Sequence, residues 1–407
     1  MTTMYDCIVI GGGPAGLFAS YNAAKNGNNV LLLERNDRCG RKLDITGKGR
    51  CNVTNACTRE EFLNNVIANP KFLMSAISRF SPDDTVEFFE SEGVPTKVER
   101  GSRVFPQSDR AQDITKALVS ACLREGVTIK YKKVTSLLVK DGEIKGVRCG
   151  KEDISGNSVI IACGGASYPK TGSDGSGHRL AESVGHTITS IRPSLVPLTS
   201  RDKSCRDCMG LSLRNVGITF VDKNKKVMYE DQGEMMFTHF GVTGPCILSA
   251  SAHIKGNFPC DLYIDFKPAL DEKTLDARIL RDFSGMQNRE IKNSFSALLP
   301  SKFISTFVQM TEIPQDTRVN SITKEQRAKI VSLMKAFPVS INGTRPIDEA
   351  IVTGGGVDCK EIDPKTMQSK LVKNLYFAGE VIDVEAYTGG FNLQIAFSTA
   401  FVAGNSI

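Results

Sequence analysis

Gly11, Gly13 and Gly16 stand in a Gly-x-Gly-x-x-Gly spacing directly after the run Asp6-Cys7-Ile8-Val9-Ile10. That spacing suits a dinucleotide pyrophosphate. The first glycine permits a tight turn, the second lets backbone approach the phosphates, and the third lets the following helix pack closely. Pro14 and Ala15 open that helix, whose N-terminal amides face the anion. Glu34 closes the next apolar run, Val30-Leu31-Leu32-Leu33. A carboxylate there accepts hydrogen bonds from the ribose hydroxyls of an adenosine and repels a 2′-phosphate, which argues against NADP in this site. Arg35 beside it is a further cofactor-binding candidate.

The elements that must hold these residues are a strand at 6 to 10, a helix from about 14 to 26 stopped by Gly27, and a strand at 30 to 34. Together they form a β-α-β unit. Residues 58 to 92 read as helical, with breaks at Pro70 and Pro82, and 111 to 125 is another helix candidate. Strand-like runs follow at 127 to 131, 134 to 139 and 144 to 148, the last two joined by Asp141-Gly142, and a buried strand at 158 to 162 leads into Gly164-Gly165. Val134, Ala162 and Gly164 join the cofactor-wall candidates.

Strand-like pieces at 217 to 221, 226 to 229 and 262 to 266 give residues 195 to 268 a β-rich texture, and 271 to 336 read as short helices. The fold class expected is α/β: a Rossmann-like domain built from both ends of the chain and interrupted by an insert. The boundaries expected are 1–193 and 339–407 for the nucleotide-binding domain, and 194–338 for the insert, β-rich over 194–270 and helical over 271–338. No fixed-period repeat or low-complexity tract is visible.

A second glycine cluster lies far downstream. Phe377-Ala378-Gly379-Glu380-Val381-Ile382-Asp383 ends a strand in a turn, and Gly389-Gly390-Phe391-Asn392-Leu393-Gln394 opens a final helix at about 393 to 403. A simple nicotinamide dehydrogenase would not require it. Here the sequence resembles the two-dinucleotide-binding flavoproteins, and the resemblance implies non-covalent FAD. It places Gly379, Glu380 and Asp383 near the ribityl chain, with Asn392, Leu393 and Gln394 at the isoalloxazine carbonyl.

The resemblance narrows at Gly40-Arg41-Lys42-Leu43-Asp44-Ile45-Thr46-Gly47-Lys48-Gly49-Arg50-Cys51-Asn52-Val53-Thr54-Asn55 and at Gly164-Gly165-Ala166-Ser167-Tyr168-Pro169-Lys170-Thr171-Gly172-Ser173. With Gly233-Glu234-Met235-Met236-Phe237-Thr238-His239-Phe240-Gly241-Val242-Thr243-Gly244-Pro245 and Thr353-Gly354-Gly355-Gly356-Val357, these motifs resemble the HI0933-like flavoproteins, also called the aminoacetone-oxidase or BaiN-like family. Arg41, Lys42, Thr46, Gly47 and Asn52 are then candidates for the pyrimidine side of the flavin, where reduction places negative charge. Gly390 would present the last helix. Two departures stand out: Lys48 replaces the family's usual glycine, and Asp44 occupies a commonly apolar position.

The resemblance implies a FAD-dependent oxidoreductase passing hydride between flavin N5 and a small or hydrophobic organic substrate. A reductase of conjugated ketones such as oxo-bile-acid intermediates is preferred, because many free thiols fit a reducing cell. A flavin amine oxidase of the aminoacetone type and a flavin-containing tRNA-modifying or binding protein remain alternatives. No second glycine fingerprint follows a strand, so NADH or NADPH would bind only transiently. Catalytic candidates are His239, Tyr168 and Tyr387, each equally readable as structural.

Composition sets outer limits. The chain has 407 residues, 41% hydrophobic and 24% charged, with 51 Lys and Arg against 45 Asp and Glu for a net charge of +6. That is a mild bias toward anionic ligands, and with no aromatic-interleaved basic patch in the sequence no nucleic acid partner is expected. The N-terminus leaves no room for a signal peptide, and no apolar run reaches membrane-spanning length, which points to the cytoplasm. Of the twelve cysteines most are expected to be free thiols. Cys51 and Cys57 are one residue too far apart for a flavin-linked redox pair, and Cys205 and Cys208 read as ordinary loop thiols with no metal.

Overall fold

The computed structural model describes residues 4–407, which form two compact units: the chain up to Ser194 together with Ile347–Ile407, and Leu195–Pro346.

The first unit is built on a seven-stranded sheet in the order Thr128–Tyr131, Val30–Glu34, Tyr5–Ile10, Glu152–Ile161, Glu143–Cys149, Ser136–Lys140, with Leu375–Phe377 also paired to Glu152–Ile161. The β-branched and leucine-rich runs of the central strands are buried on both faces, as a parallel sheet covered by helices requires. Glu152–Ile161 plays two roles. Its first residues pair antiparallel with Glu143–Cys149, and its last pair parallel with Tyr5–Ile10 and Leu375–Phe377. Five parallel strands therefore end along one edge, at Tyr131, Glu34, Ile10, Ile161 and Phe377, and in open α/β sheets ligands bind outside the carboxyl ends of strands.

The helices Pro14–Lys25 and Phe391–Gly404 pack on this sheet and on each other. A Cβ on Gly404 would lie 2.5 Å from Ala19 O, so the glycine allows the two backbones to touch. Phe18, Phe80, Phe88 and Phe397 seal the contact, with Phe18 4.9 Å from Phe80 and from Phe88 and 5.5 Å from Phe397 between ring centroids. Within 58 to 92, Pro70 and Pro82 occupy first-turn positions of the helices Pro70–Arg79 and Pro82–Ser91, where the missing N–H costs nothing. The stretch is not helical throughout: Val66–Ala68 is a short strand paired with Glu385–Ala386.

The second unit carries a seven-stranded antiparallel sheet, in the order Phe337–Ile341, Cys260–Asp265, Ser212–Val221, Val227–Thr238, Gly241–Thr243, Leu198–Thr199, Gly343–Thr344. It includes the helices Pro245–Ile254, Glu272–Ser284, Ser301–Thr311 and Lys324–Lys335, around a core containing Phe220, Phe237, Phe303, Phe307 and Phe337. Two expectations change here. Phe337–Ile341 does not rejoin the first domain after Pro338 but pairs with Cys260–Asp265, Leu262 facing Val339, so the unit runs on to Pro346. Pro338 is tolerated because the strand lies at the sheet edge. The helix Pro245–Ile254 interrupts the segment that reads as strands alone. Among the described residues no helix is long and apolar enough to cross a membrane.

Candidate cofactor and active site

At the C-terminal edge of the parallel strands the first unit encloses a cavity of about 1090 Å³. One end is organised by the glycine turn. Gly11 N donates to Leu33 O at 2.8 Å, tying the turn to the second strand. A Cβ on Gly16 would sit 1.7 Å from Gly11 O, an impossible approach for any other residue, while a Cβ on Gly13 would meet nothing within 4 Å. The space beside Gly13 is the cavity, and the first turn of Pro14–Lys25 opens onto it. Glu34 is only 7% exposed. Its Oε2 accepts from Gly12 N at 2.7 Å, and its Oε1 accepts from Asn36 N and Asn36 Nδ2, each at 2.7 Å. Asn36 Nδ2 also donates to Thr171 O at 3.0 Å, and Arg35 pairs with Asp174 at 2.5 Å. Burial opposes ionisation of Asp174, but Arg35 and the Ser176 donors outweigh it and hold the carboxyl at about 2. Two separate chain segments are thereby locked around one acid.

The middle of the wall is a second acid. Glu380 accepts from Lys42 Nζ at 2.7 Å, Thr353 N at 2.8 Å, Ser167 Oγ at 3.3 Å and Gly165 N at 3.4 Å. Lys42 Nζ donates also to Ser167 Oγ at 2.8 Å. Burial alone would raise the Glu380 pKa, yet Lys42 and the backbone donors hold it below the usual carboxylate range. Glu380 thus pins three wall segments.

The other end is formed by residues 47 to 57, 101 to 105 and the start of the last helix. Gly390, at φ 99°, leads into Phe391–Gly404, and a Cβ there would lie 2.2 Å from Thr54 O. Asn392 clamps the preceding turn, its Oδ1 accepting from Ala386 N at 3.0 Å and its Nδ2 donating to Ala386 O at 2.8 Å. Phe105 carries two guanidiniums over its ring, Arg50 at 4.2 Å and Arg103 at 5.7 Å from the centroid. Lys48 adopts φ 60° between Gly47 and Gly49, both also left-handed, a conformation costing a side-chain residue about 1–2 kcal/mol.

Of the expected cofactor residues, Gly11, Gly13, Pro14, Ala15, Glu34, Arg35, Arg41, Lys42, Thr46, Gly47, Asn52, Val134, Ala162, Gly164, Glu380, Gly390, Asn392 and Leu393 line the cavity. Gly16, Gly379, Asp383 and Gln394 stand behind its wall. Gly379 N donates to Thr399 Oγ1 at 2.9 Å, and Asp383 N to Val357 O. Gln394 is fully buried: its Oε1 accepts from Thr54 Oγ1 at 2.6 Å and Thr85 Oγ1 at 2.7 Å, and its Nε2 donates to Ser398 Oγ at 3.0 Å. It ties elements together rather than facing a ligand. Tyr168 and Tyr387 are half-buried and lie off the wall; His239 belongs to the second unit, exposed, with its ring edge-on to Phe240.

Sequence reasoning missed Arg50, Arg103, Lys132, Lys133 and Ser173 on the wall. Ser173 was readable from its place in the Gly164-to-Gly177 motif. The grouping of Arg50 with Arg103 and Phe105 was not, because Arg50 comes from a distant segment of the chain.

The twelve cysteines are free. Cys51 is buried behind the wall with its thiol pushed up to about 12, and Cys57 lies on the wall, pushed up to about 11 by burial and by Glu61, so both keep their protons at neutral pH. Cys205 and Cys208 are not loop thiols. They flank the end of the helix Lys203–Asp207, buried in the core of the second unit, where Cys208 Sγ lies 3.5 Å from Thr306 Oγ1.

A flavin dinucleotide fits what the wall offers. Two side-chain oxygens on it, Asn52 Oδ1 and Ser173 Oγ, are buried without a hydrogen-bond partner, a costly state that a polar ligand relieves. The volume, about 1090 Å³, lies just above the roughly 300–1,000 Å³ common for ligand pockets, as a ligand the size of a dinucleotide requires. Cations outnumber acids along the lining, as a pyrophosphate requires.

Fold and site together define a Rossmann-type dinucleotide-binding flavoprotein. The model of the HI0933-like protein Rossmann domain matches residues 5–406, and the chain belongs to that family, as a FAD-dependent oxidoreductase. It is 30% identical over 404 residues to the 3-dehydro-bile acid delta(4,6)-reductase of Clostridium scindens, covering 98% of both chains. It is equally 30% identical, over 410 residues, to the ribosomal RNA dihydrouridine synthase of Escherichia coli, covering 99% of this chain and 98% of that one. Among solved structures, the 3-ketosteroid-delta4-(5alpha)-dehydrogenase of Rhodococcus jostii matches with TM-score 0.54 at 15% identity, over 99% of this chain and 96% of that one, a likeness of fold.

Proposed function

We propose that this protein reduces a carbon–carbon double bond conjugated with a carbonyl, using FAD reduced by NADH or NADPH that binds transiently. The observation that carries this reading is the chemistry shared by two full-length relatives whose names point to very different molecules. A 3-dehydro bile acid with Δ4,6 unsaturation and the uracil ring of uridine both present an alkene conjugated with a carbonyl.

Bound FAD would supply the hydride, from N5 to the carbon remote from the carbonyl. The protein's part is to bind, orient and balance charge. Gly11 to Ala15 and Glu34 would hold the adenosine diphosphate half, with Val134, Ala162 and Gly164 closing around it. Lys42, fixed by Glu380, Arg41 and the amides opening Phe391–Gly404 would place positive charge beside the pyrimidine side of the flavin, where reduction adds negative charge. Asn52 Oδ1 would accept from a flavin N–H. Hydride addition would leave an enolate whose adjacent carbon takes its proton from water reaching the cavity, since Tyr168, Tyr387 and His239 lie off the cavity wall.

The test is anaerobic. NADH or NADPH should bleach the flavin absorbance, and a 3-oxo-Δ4 steroid acid or a uridine-containing RNA should restore it with one alkene reduced per flavin. Bleaching by aminoacetone with none by NAD(P)H would replace this reading with an amine oxidase.

A further inference from the structure

We propose that Lys48 and Arg103 form a cationic rim on the substrate end of the cavity and select substrates that carry an anionic group. The inference rests on the conjugated-alkene reading for the identity of the reacting bond, not for the charge.

Both residues line the cavity and both are exposed. They border the same ring. Arg103 lies 5.7 Å from the Phe105 centroid, and a Cβ on Gly47, next to Lys48, would lie 3.6 Å from Phe105 Cε1. The other charges beside Phe105 pair among themselves. Arg50 is paired with both Glu99 and Asp109, and Lys97 with Asp109 at 2.7 Å. Glu99 faces Arg103 across the strand ladder, but its carboxylate is taken by Arg50. Glu61, on the same wall, is committed to the cap of Arg59–Asn64, accepting from Thr58 N at 2.8 Å and Thr58 Oγ1 at 2.9 Å. What remains is uncompensated positive charge: among the described residues neither Lys48 nor Arg103 has a carboxylate partner, and Arg103 Nε donates only to Arg100 O at 2.9 Å.

Lys48 adds an independent argument. Its backbone, at φ 60°, lies in the left-handed region that favours glycine. Among the described residues its ammonium has no hydrogen bond or ion pair, which leaves it free to meet an anion from outside the protein. An oxyanion fits that role, and it has two sources: a carboxylate on a small hydrophobic substrate, or the phosphates of an RNA strand.

The experiment compares matched pairs on the FAD-loaded enzyme: a 3-oxo-Δ4 steroid acid against its methyl ester, and a uridine oligoribonucleotide against uridine. Each is read as kcat/KM and as the Kd obtained from perturbation of the flavin absorbance. In Lys48→Gly the preference for the charged member of the favoured pair should fall about tenfold and lose much of its salt dependence, and Arg103→Gln should act in the same direction. The pair that responds identifies the source of the anion. Lys48→Gly should melt no lower than the parent, since glycine adopts this conformation freely. Equal loss for charged and neutral members, an unchanged ratio in both pairs, or loss of FAD from Lys48→Gly would overturn the assignment. If no alkene is reduced, the conjugated-alkene reading fails, and the Kd ratios still decide the rim.

Discussion

The two ends of the cavity are built on opposite terms. At the Glu34 end most donors and acceptors are already satisfied within the protein, Ser173 Oγ being the exception: Glu34 takes Gly12 and Asn36, Asn36 takes Thr171, and Arg35 takes Asp174. At the far end Asn52 Oδ1 has no partner, and Lys48 and Arg103 have no counter-charge among the described residues. A pre-satisfied end recognises by shape, because rearranging it would break internal hydrogen bonds. An end with unspent polar groups gains most from what binds there, and specificity follows.

The sharpest break in this comparison is Gly16→Val. With a Cβ 1.7 Å from Gly11 O the turn cannot close, and we expect a flavin-free protein destabilised by more than about 3 kcal/mol, checked by flavin content and thermal melt. Gln394→Leu comes next. It removes the acceptor of the Thr54 hydroxyl and the shorter of the two acceptors of the Thr85 hydroxyl, and should cost the apoprotein about 2 kcal/mol by denaturant titration. If it instead spares stability and abolishes FAD binding, Gln394 is a cofactor ligand after all.

Glu34→Gln sharpens the contrast from the closed end. Turning an amide toward Gly12 N or Asn36 should weaken FAD by about 2 kcal/mol, or roughly thirtyfold in Kd measured by fluorescence quenching. Asn52→Leu tests the open end with a split sign. FAD should bind about tenfold more weakly while the apoprotein melts no lower, since an unsatisfied buried oxygen has been removed.

The smallest effect is in pH. The Glu380 carboxyl is held below its ordinary value near 4.5, so its ion pair stabilises the protein above that value and the contribution fades as pH falls through the depressed one. Glu380→Gln should therefore flatten the acid limb of the melting temperature below about pH 4.5, leaving the shape above neutrality unchanged. An unaltered acid limb would mean that Lys42 and Glu380 are not coupled in solution.

How much of this was legible follows from chain distance. Gly11, Gly16 and Glu34 sit within one β-α-β unit, whose hydrogen bonds and periodicity are local, and their spacing alone dictates the turn. Gln394 misleads because the resemblance places it with the opening of the last helix at the isoalloxazine carbonyl, whereas its side chain is spent on the buried Thr54 and Thr85 hydroxyls. Phe337–Ile341 misleads because edge and central strands share one pattern, and only pairing with Cys260–Asp265 assigns it to the second unit.

By itself the amino-acid sequence determined the dinucleotide turn, the acid at the second strand, the α/β class and the return of the C-terminal segment, since each is written in spacings of a few residues that fix local backbone. Only the tertiary structure decided which polar groups are spent and which are left over. Whether Lys42, Lys48, Arg50 and Arg103 carry free charge depends on the acids that the fold brings beside them from distant segments, and that pairing is what separates a cofactor wall from a substrate rim.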